Sequence, residues 1–166
     1  MKSFHKTSSL LDKPLNPNGR FCRHSFAAWS FLNTIICIFS VLLILSIFNQ
    51  FHATSYAKSM TFLGYLLTLG VLVCFFYYSF IISIRRLHDQ NLSGWWSLLL
   101  IVPILNFLFF LYLLYNKGDD GMNKYGFSRI IFGWEKILGN AYMIIAPFTI
   151  LGFCLFLWVQ RAYIIN

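Results

Sequence analysis

The sequence predicts an all-α integral membrane protein, and three observations support this fold class. Of the 166 residues, 58% are apolar and only 11% are charged, whereas soluble domains carry about 25% charged residues. Long uncharged stretches separate the few charges. Each stretch is long enough for a membrane helix, which needs roughly 20 mostly apolar residues. We therefore expect one membrane domain and no separate water-soluble domain.

We predict four membrane-embedded helical segments and one helix lying at the membrane surface. The embedded segments are residues 26–48, 59–84, 95–115 and 141–159. The first two are uninterrupted apolar runs, and the last one has Asn140 as a candidate cap and Pro147 as a candidate kink. The surface helix is predicted at 128–138, where apolar residues recur at helical spacing among charged ones.

The segments before and between these helices are predicted from their polar composition. Residues 1–18 contain two prolines, several serines and three lysines, which indicates a flexible segment. Residues 19–25 are expected to form a short amphipathic lead into the membrane, with Arg20 and Arg23 on one helical face. Residues 116–126 are rich in glycine, aspartate and asparagine and predict a turn-rich loop.

The distribution of lysine and arginine predicts the orientation. Five such residues precede the first span, and Arg85 and Arg86 follow the second, whereas Lys58 alone lies between the spans. Cytoplasmic loops of membrane proteins are enriched in Lys and Arg. The N-terminus and the Arg85–Arg86 pair are therefore expected on the cytoplasmic side.

The third segment has two open interpretations, because Pro103 interrupts it near its middle and proline kinks or ends a helix. Residues 95–115 cross the membrane once, or they form a re-entrant hairpin of two half-helices. The charges of the following loop favour re-entry. The first helix usually dominates orientation, however, so both alternatives stay open.

Three polar motifs resemble those of the domain of unknown function 805 family. They are Gly19-Arg20-x-x-Arg23-x-x-Phe26; Arg85-Arg86-Leu87-His88-Asp89 with Ser93-Gly94-Trp95-Trp96 and the later Pro103; and Gly118 with Asn123-Lys124-Tyr125-Gly126. The resemblance covers about residues 19–126. It implies a small protein of the bacterial inner membrane without an established activity. The chain then divides into residues 1–18, a family-like membrane domain at 19–126, and an extension at 127–166.

The motif residues are also the candidate binding site. Basic residues at the cytoplasmic headgroup level can bind anionic lipids. A lipid headgroup or partner site is therefore hypothesised at Arg20, Arg23, Arg85, Arg86, His88, Asp89, Trp95, Trp96 and Lys124. The structural residues of the motifs are expected to be Gly19, Phe26, Ser93, Gly94, Pro103, Asn123, Tyr125 and Gly126. Arg85 is expected to pair with Asp89 four residues later, and Ser93 to cap the helix that follows it.

Catalysis and metal binding are not favoured by the sequence. His88 and Asp89 are adjacent, but neighbouring helical residues point about 100° apart, so His88 is better explained as a helix-end cap. The four histidines are scattered, and no cluster has metal-ligand spacing. No metal or cofactor is therefore expected, and nucleic acid is not expected as a partner, because no soluble basic face remains outside the spans.

The leading hypothesis from the sequence is a non-enzymatic scaffold or assembly factor in the bacterial cell envelope. Its expected partners are the lipid bilayer and other inner-membrane proteins or a second copy of the chain. Binding or handling of anionic phospholipids is the alternative. A membrane enzyme that uses His88 and Asp89 is a third and weaker hypothesis.

Overall fold

The computed structural model describes residues 16–49 and 57–165, and the regular elements in this part of the chain are helices joined by loops. The helices are α1 (Arg23–Asn49), α2 (Ala57–Asp89), a 3-10 helix (Gly94–Ile101), α3 (Pro103–Tyr115) and α4 (Gly133–Ile165). Most of the predicted N-terminal segment and of the loop between the first two spans lies outside the described residues. The predicted all-α class is confirmed; the number of membrane crossings remains a prediction.

Helices α1 and α2 are each long and apolar enough to cross a membrane. Both expose large apolar side chains along their length, including Phe39 at 67% and Phe62 at 68%. In water such surfaces would be buried, but lipid tails are as apolar as leucine and solvate them without cost. The two helices form an antiparallel pair, since Phe48 near the end of α1 lies beside Gly64 near the start of α2, and Asn33 bonds Ser79 further along.

Pro103 interrupts the third apolar segment, as predicted. It is the first residue of α3, where its missing N–H is not needed by the helix. The preceding 3-10 helix has 8 residues and α3 has 13, so they are about 16 Å and 20 Å long, short of the roughly 30 Å hydrocarbon core. Gly94 approaches Ile84 of α2, and the Asn116 carbonyl accepts a hydrogen bond from Arg86. Residues 94–116 therefore form a hairpin whose two ends meet at the C-terminus of α2.

Helix α4 corrects the prediction for the C-terminal region. A surface helix at 128–138 separated from a span beginning near Asn140 is wrong, because one continuous helix of 33 residues begins at Gly133 and passes through Asn140. The reason is that Glu135, in the first turn of α4, is completely buried against α1, so this turn packs inside the protein and not on the membrane surface. Asn140 is therefore an interior residue of the helix and not a cap.

Helix α4 runs beside α1 in the same direction. A Cβ atom on Gly139 would lie 2.4 Å from the backbone oxygen of His24, so the two backbones touch there. Further along, the rings of Phe31 and Tyr142 are 5.3 Å apart. The start of α4 consequently lies at the same end of the bundle as the start of α1.

The tightest packing also lies at this end. Eight buried side chains form the apolar core: Phe21, Phe26, Ala27, Ile82, Leu87, Leu113, Leu114 and Ala146. They come from the N-terminal segment, from the start of α1, from the C-terminal parts of α2 and α3, and from Ala146 of α4. Phe26 of the first motif packs on Phe110 of α3 with ring centroids 5.7 Å apart. The same end therefore carries both the core and the polar motifs.

Candidate functional site

The carboxylate of Asp89, the last residue of α2, is the centre of the polar site. One of its oxygens accepts a hydrogen bond from Arg20 Nε at 3.2 Å, and the other accepts one from Arg86 Nη1 at 2.6 Å. Both guanidinium groups are fully buried. Charges removed from water are stable only when paired and hydrogen-bonded, so these three side chains depend on one another. We call this arrangement the Asp89 junction.

Arg86 joins the junction to the returning end of the hairpin. Its Nε donates to the carbonyl oxygen of Leu113 at 2.8 Å, and its Nη2 donates to that of Asn116. The last carbonyls of a helix have no partner within the helix and attract cations. Arg86 therefore caps the C-terminus of α3 and fixes it beside α2.

Arg20 joins the junction to the loop after the hairpin. Its guanidinium donates to the carbonyl oxygen of Asp119 at 2.6 Å, to that of Gly126 at 3.0 Å and to that of Gly121. In return, the Asp119 N–H donates to the Asp89 backbone oxygen at 2.8 Å. The first and third sequence motifs thus meet at Asp89 of the second.

Only glycine fits at position 118, because the loop lies directly against the side chains of Asp89 and Arg86 there. A Cβ atom at Gly118 would lie 1.8 Å from Oδ2 of Asp89 and 3.1 Å from Nη1 of Arg86. Both atoms are held by their own hydrogen bonds and have little room to move. The loop therefore approaches the ion pairs to a distance that only glycine permits.

Arg85 does not pair with Asp89 as predicted. Its guanidinium lies over the ring of Phe21, 3.9 Å from the centroid, and its backbone oxygen accepts a hydrogen bond from the Phe21 N–H at 2.9 Å. Arg86, three residues before Asp89, occupies the helical face that reaches the carboxylate. Arg129 also approaches the Phe21 ring, at 5.0 Å, so Phe21 is packed between two cations.

His88 packs against the third motif and does not cap a helix end. Its imidazole stacks on the ring of Tyr125 with centroids 3.8 Å apart, while Asn123 donates to the His88 backbone oxygen at 2.8 Å. The Asp89 carboxylate is directed to the two arginines rather than to this imidazole. The geometry of an oriented general base is therefore not formed by His88 and Asp89.

A second buried polar cluster surrounds Glu135, which falls within the surface helix predicted at 128–138. Its carboxylate accepts hydrogen bonds from Ser25 Oγ and Trp29 Nε1, both at 2.8 Å, and pairs with Arg129 at 3.0 Å. The lone glutamate of the described chain thus attaches α4 to the start of α1. The available signal is the position of Glu135 among apolar residues such as Trp134 and Ile137, but its partners Ser25 and Trp29 are 110 and 106 residues away in the sequence.

The remaining predicted binding residues lie at the surface. Arg23 and Lys124 are exposed, as are Trp95 at 79% and Trp96 at 54%. Arg20 does not share a helical face with Arg23, because α1 begins only at Arg23 and Arg20 turns inward. The other three arginines of the predicted site are at most 2% exposed and belong to the interior: Arg20, Arg85 and Arg86. Headgroup binding remains a prediction for the exposed residues.

Ser93 and Gly94 connect α2 to the hairpin. Ser93 occupies the N-cap position of the 3-10 helix, but its hydroxyl makes no capping hydrogen bond, so that part of the prediction is wrong. A Cβ on Gly94 would come within 3.0 Å of the Ile84 side chain. Gly94 therefore lets the hairpin begin in direct contact with α2.

Across residues 16–49 and 57–165, no three His, Cys, Asp or Glu side chains are grouped so that they could hold a metal ion.

Comparison with known proteins matches the chain to one family. The family model described as protein of unknown function (DUF805) covers residues 14–127, more than half of the chain. The inner membrane protein YhaI of Escherichia coli (strain K12) is 44% identical over 45 residues, which are 27% of this chain and 38% of YhaI. Inner membrane protein YhaH of the same strain is 36% identical over 45 residues, covering 27% of this chain and 37% of YhaH. The matches thus span well under half of these curated relatives, and no solved structure is significantly similar.

Proposed function

The chain belongs to the DUF805 family, whose named relatives are inner membrane proteins, and from this premise we propose that it is a non-enzymatic scaffold of the bacterial inner membrane. The observation that carries the proposal is the closure of the Asp89 junction. Its charged side chains are buried and directed at one another or at backbone carbonyls. Such a network fixes a shape and offers no free group to a substrate.

The proposed topology follows from the position of the junction. Helices α1, α2 and α4 cross the bilayer, whereas residues 94–116 re-enter and return to the side from which they came. Nine Lys and Arg residues have described side chains, and eight of them belong to the segments meeting at the junction end: Arg20, Arg23, Arg85, Arg86, Lys117, Lys124, Arg129 and Lys136. Arg161, near the end of α4, is the ninth. By the positive-inside rule the junction is cytoplasmic, as is the N-terminus.

The partner surface of the scaffold is proposed on the cytoplasmic loop. Met122 at 71% and Phe127 at 62% are exposed beside the exposed Lys124. Exposed apolar side chains among polar ones, outside the lipid layer, are typical of contacts between proteins. The Arg20 hydrogen bonds to Gly121 and Gly126 hold this loop in a fixed position. We expect another inner-membrane protein to contact it.

A photo-crosslinking amino acid placed at Met122 in cells tests the scaffold proposal. A discrete adduct with a second protein is expected, and Asp89→Asn should abolish it because the loop loses its anchor. The matched control is the same probe at Ile144, which is 66% exposed on the lipid-facing part of α4 and should give no protein adduct. Absence of any protein adduct at Met122 in the folded wild type would count against a scaffold.

The alternative function is the binding of anionic phospholipid. The candidate site for it is formed by exposed cations and not by the buried arginines of the junction. Arg23 and Lys136 are exposed, and both lie near His24 where α1 and α4 begin. Two cations beside an imidazole at the headgroup level can bind a phosphate. Native mass spectrometry should then find less retained phosphatidylglycerol on the Arg23→Gln, Lys136→Gln double variant than on Lys117→Gln. Equal retention by both variants would remove this candidate.

A further inference from the structure

A cavity of about 660 Å³ lies between α1, α2 and the tip of the hairpin. Ligand sites in proteins are typically about 300–1,000 Å³, so its size suits a small molecule. Its wall combines phenylalanines, among them Phe80 and Phe110, with the polar side chains of Ser30, Ser83 and Asn106. No Lys, Arg, Asp or Glu is among the described residues that line it. The scaffold function proposed above makes no use of this cavity.

Asn106 is the unusual residue in the wall. Its carboxamide makes no hydrogen bond within the described part of the chain, and the residue is half-buried. Asn33, the other asparagine within an apolar segment, donates to the Phe75 carbonyl oxygen at 3.3 Å and to Ser79 Oγ at 3.0 Å. An amide without a partner is unfavourable in an apolar medium, so the Asn106 carboxamide is available to a partner from outside the chain.

The depth of Asn106 restricts what that partner can be. Asn106 is ten residues before Asn116, which places it about 15 Å along the helix from the junction end, near the middle of a roughly 30 Å hydrocarbon core. The cavity opens beside Phe76 and Ile101, which are 55% and 65% exposed on the lipid-facing surface. A ligand would therefore enter from the bilayer. This step rests on the re-entrant topology proposed above.

We propose that the cavity binds an uncharged amphiphile dissolved in the membrane. The Asn106 carboxamide bonds a carbonyl or hydroxyl oxygen of its head, and Phe80 and Phe110 pack on its apolar part. The lack of charged side chains in the described wall excludes a phosphate or ammonium head, because an unpaired charge at this depth is strongly unfavourable. Quinones and diacylglycerols share the required chemistry, an uncharged oxygen-bearing head on a long apolar tail.

Native mass spectrometry of the purified chain in detergent tests the proposal with three probes: decylubiquinone, dioctanoylglycerol and dioctanoyl phosphatidylglycerol. At least one uncharged probe should be retained in preference to the charged one. Retention of decylubiquinone would identify the ligand as a quinone, and retention of dioctanoylglycerol would identify it as a diacylglycerol. Asn106→Leu should reduce that retention about tenfold, as expected for one lost hydrogen bond in an apolar site. Thr68→Val is the matched control, because Thr68 donates to the Gly64 carbonyl of its own helix and lies outside this cavity.

Two further measurements separate ligand binding from a structural role of Asn106. Without ligand, Asn106→Leu should unfold at a temperature equal to or above that of the wild type, since it removes an unpaired amide. Ile101→Trp should block the mouth of the cavity and lower retention while Asn106 is unchanged. Equal retention of the charged and uncharged probes, or wild-type retention by both variants, would overturn the proposal. Labelling at Lys124 measures the topology independently, so failure of the ligand site is distinguishable from failure of the topology.

Discussion

Asp89 at the end of α2 accepts a hydrogen bond from Arg20, which precedes it by 69 residues, while it also pairs with its helical neighbour Arg86. This one carboxylate ties the N-terminal segment to the second helix. The backbone of Asp89 adds the loop after the hairpin through the Asp119 N–H. The three motifs that are separated in sequence are therefore parts of one structural unit.

Asp89→Asn should destabilise the protein severely. The change leaves two buried guanidinium groups without a counter-charge, and breaking a buried ion pair costs about 3–5 kcal/mol. Thermal unfolding in mild detergent measures the loss. Asp120→Asn is the control, because Asp120 pairs with Lys117 on the surface with both side chains more than 70% exposed. It should leave the unfolding temperature almost unchanged, and similar shifts for the two variants would contradict the role of the junction.

Gly118→Ala should also destabilise the protein, by displacing the loop. The added Cβ would lie 1.8 Å from Asp89 Oδ2, so either the loop or the ion pair must move. Gly70→Ala provides the comparison, since nothing lies within 4 Å of a Cβ there, and alanine is favoured over glycine inside a helix. Gly118→Ala should lower the unfolding temperature and Gly70→Ala should not. Equal behaviour would argue that the loop is not held against Asp89.

Glu135→Gln should loosen α4 from α1. Ser25 and Trp29 donate to different oxygens of the carboxylate. Glutamine has one acceptor oxygen, so it keeps only one of these two hydrogen bonds and also loses the charge that pairs with Arg129 at 3.0 Å. A loss of about 1–3 kcal/mol is expected for a buried charged group left with an unsatisfied partner. Thermal unfolding followed by tryptophan fluorescence should report it, because Trp29 is a direct partner. Lys136→Gln, on the exposed neighbour, serves as the control, and an equal effect would contradict the docking role of Glu135.

His88→Phe should preserve folding and the Met122 crosslink better than His88→Ala does, although both variants lose the hydrogen bond between His88 and the Gly19 backbone. Phenylalanine retains the aromatic stack on Tyr125, whose ring lies 3.8 Å from that of His88, and stacked pairs contribute about 0.5–1.5 kcal/mol. A reaction that depends on an imidazole would be lost in both variants. Cells in which His88→Phe folds normally but behaves as a deletion would therefore favour the enzyme hypothesis.

Local sequence signals predicted much of this fold. Continuous apolar runs located α1 and α2, and Pro103 correctly marked the division of the third segment. These features depend on residues that are close in sequence, namely the helix-length apolar stretch and the missing proline N–H. The identification of the family from its three motifs is confirmed as well.

The errors concern contacts between residues far apart in the chain. The spacing of four residues predicts that Arg85 reaches Asp89, but helical spacing alone does not tell which of two adjacent arginines faces a carboxylate. Glu135 resembled a surface charge because its partners Ser25 and Trp29 lie at the other end of the sequence. Burial of that glutamate also extends α4 through the boundary predicted near Asn140. Tertiary pairing, rather than local propensity, determined each of these outcomes.

Cysteine labelling at Lys124 tests the central claim, which is that the junction brings all three motifs to the cytoplasmic side of the membrane. The natural cysteines are first replaced by serine, and Lys124→Cys is compared in intact cells with Arg23→Cys as a reference for the start of α1. Both introduced thiols should be protected from a membrane-impermeant maleimide in spheroplasts and become labelled when the membrane is opened. Labelling of Lys124→Cys in intact spheroplasts, with Arg23→Cys protected, would place the loop outside and contradict the re-entrant hairpin.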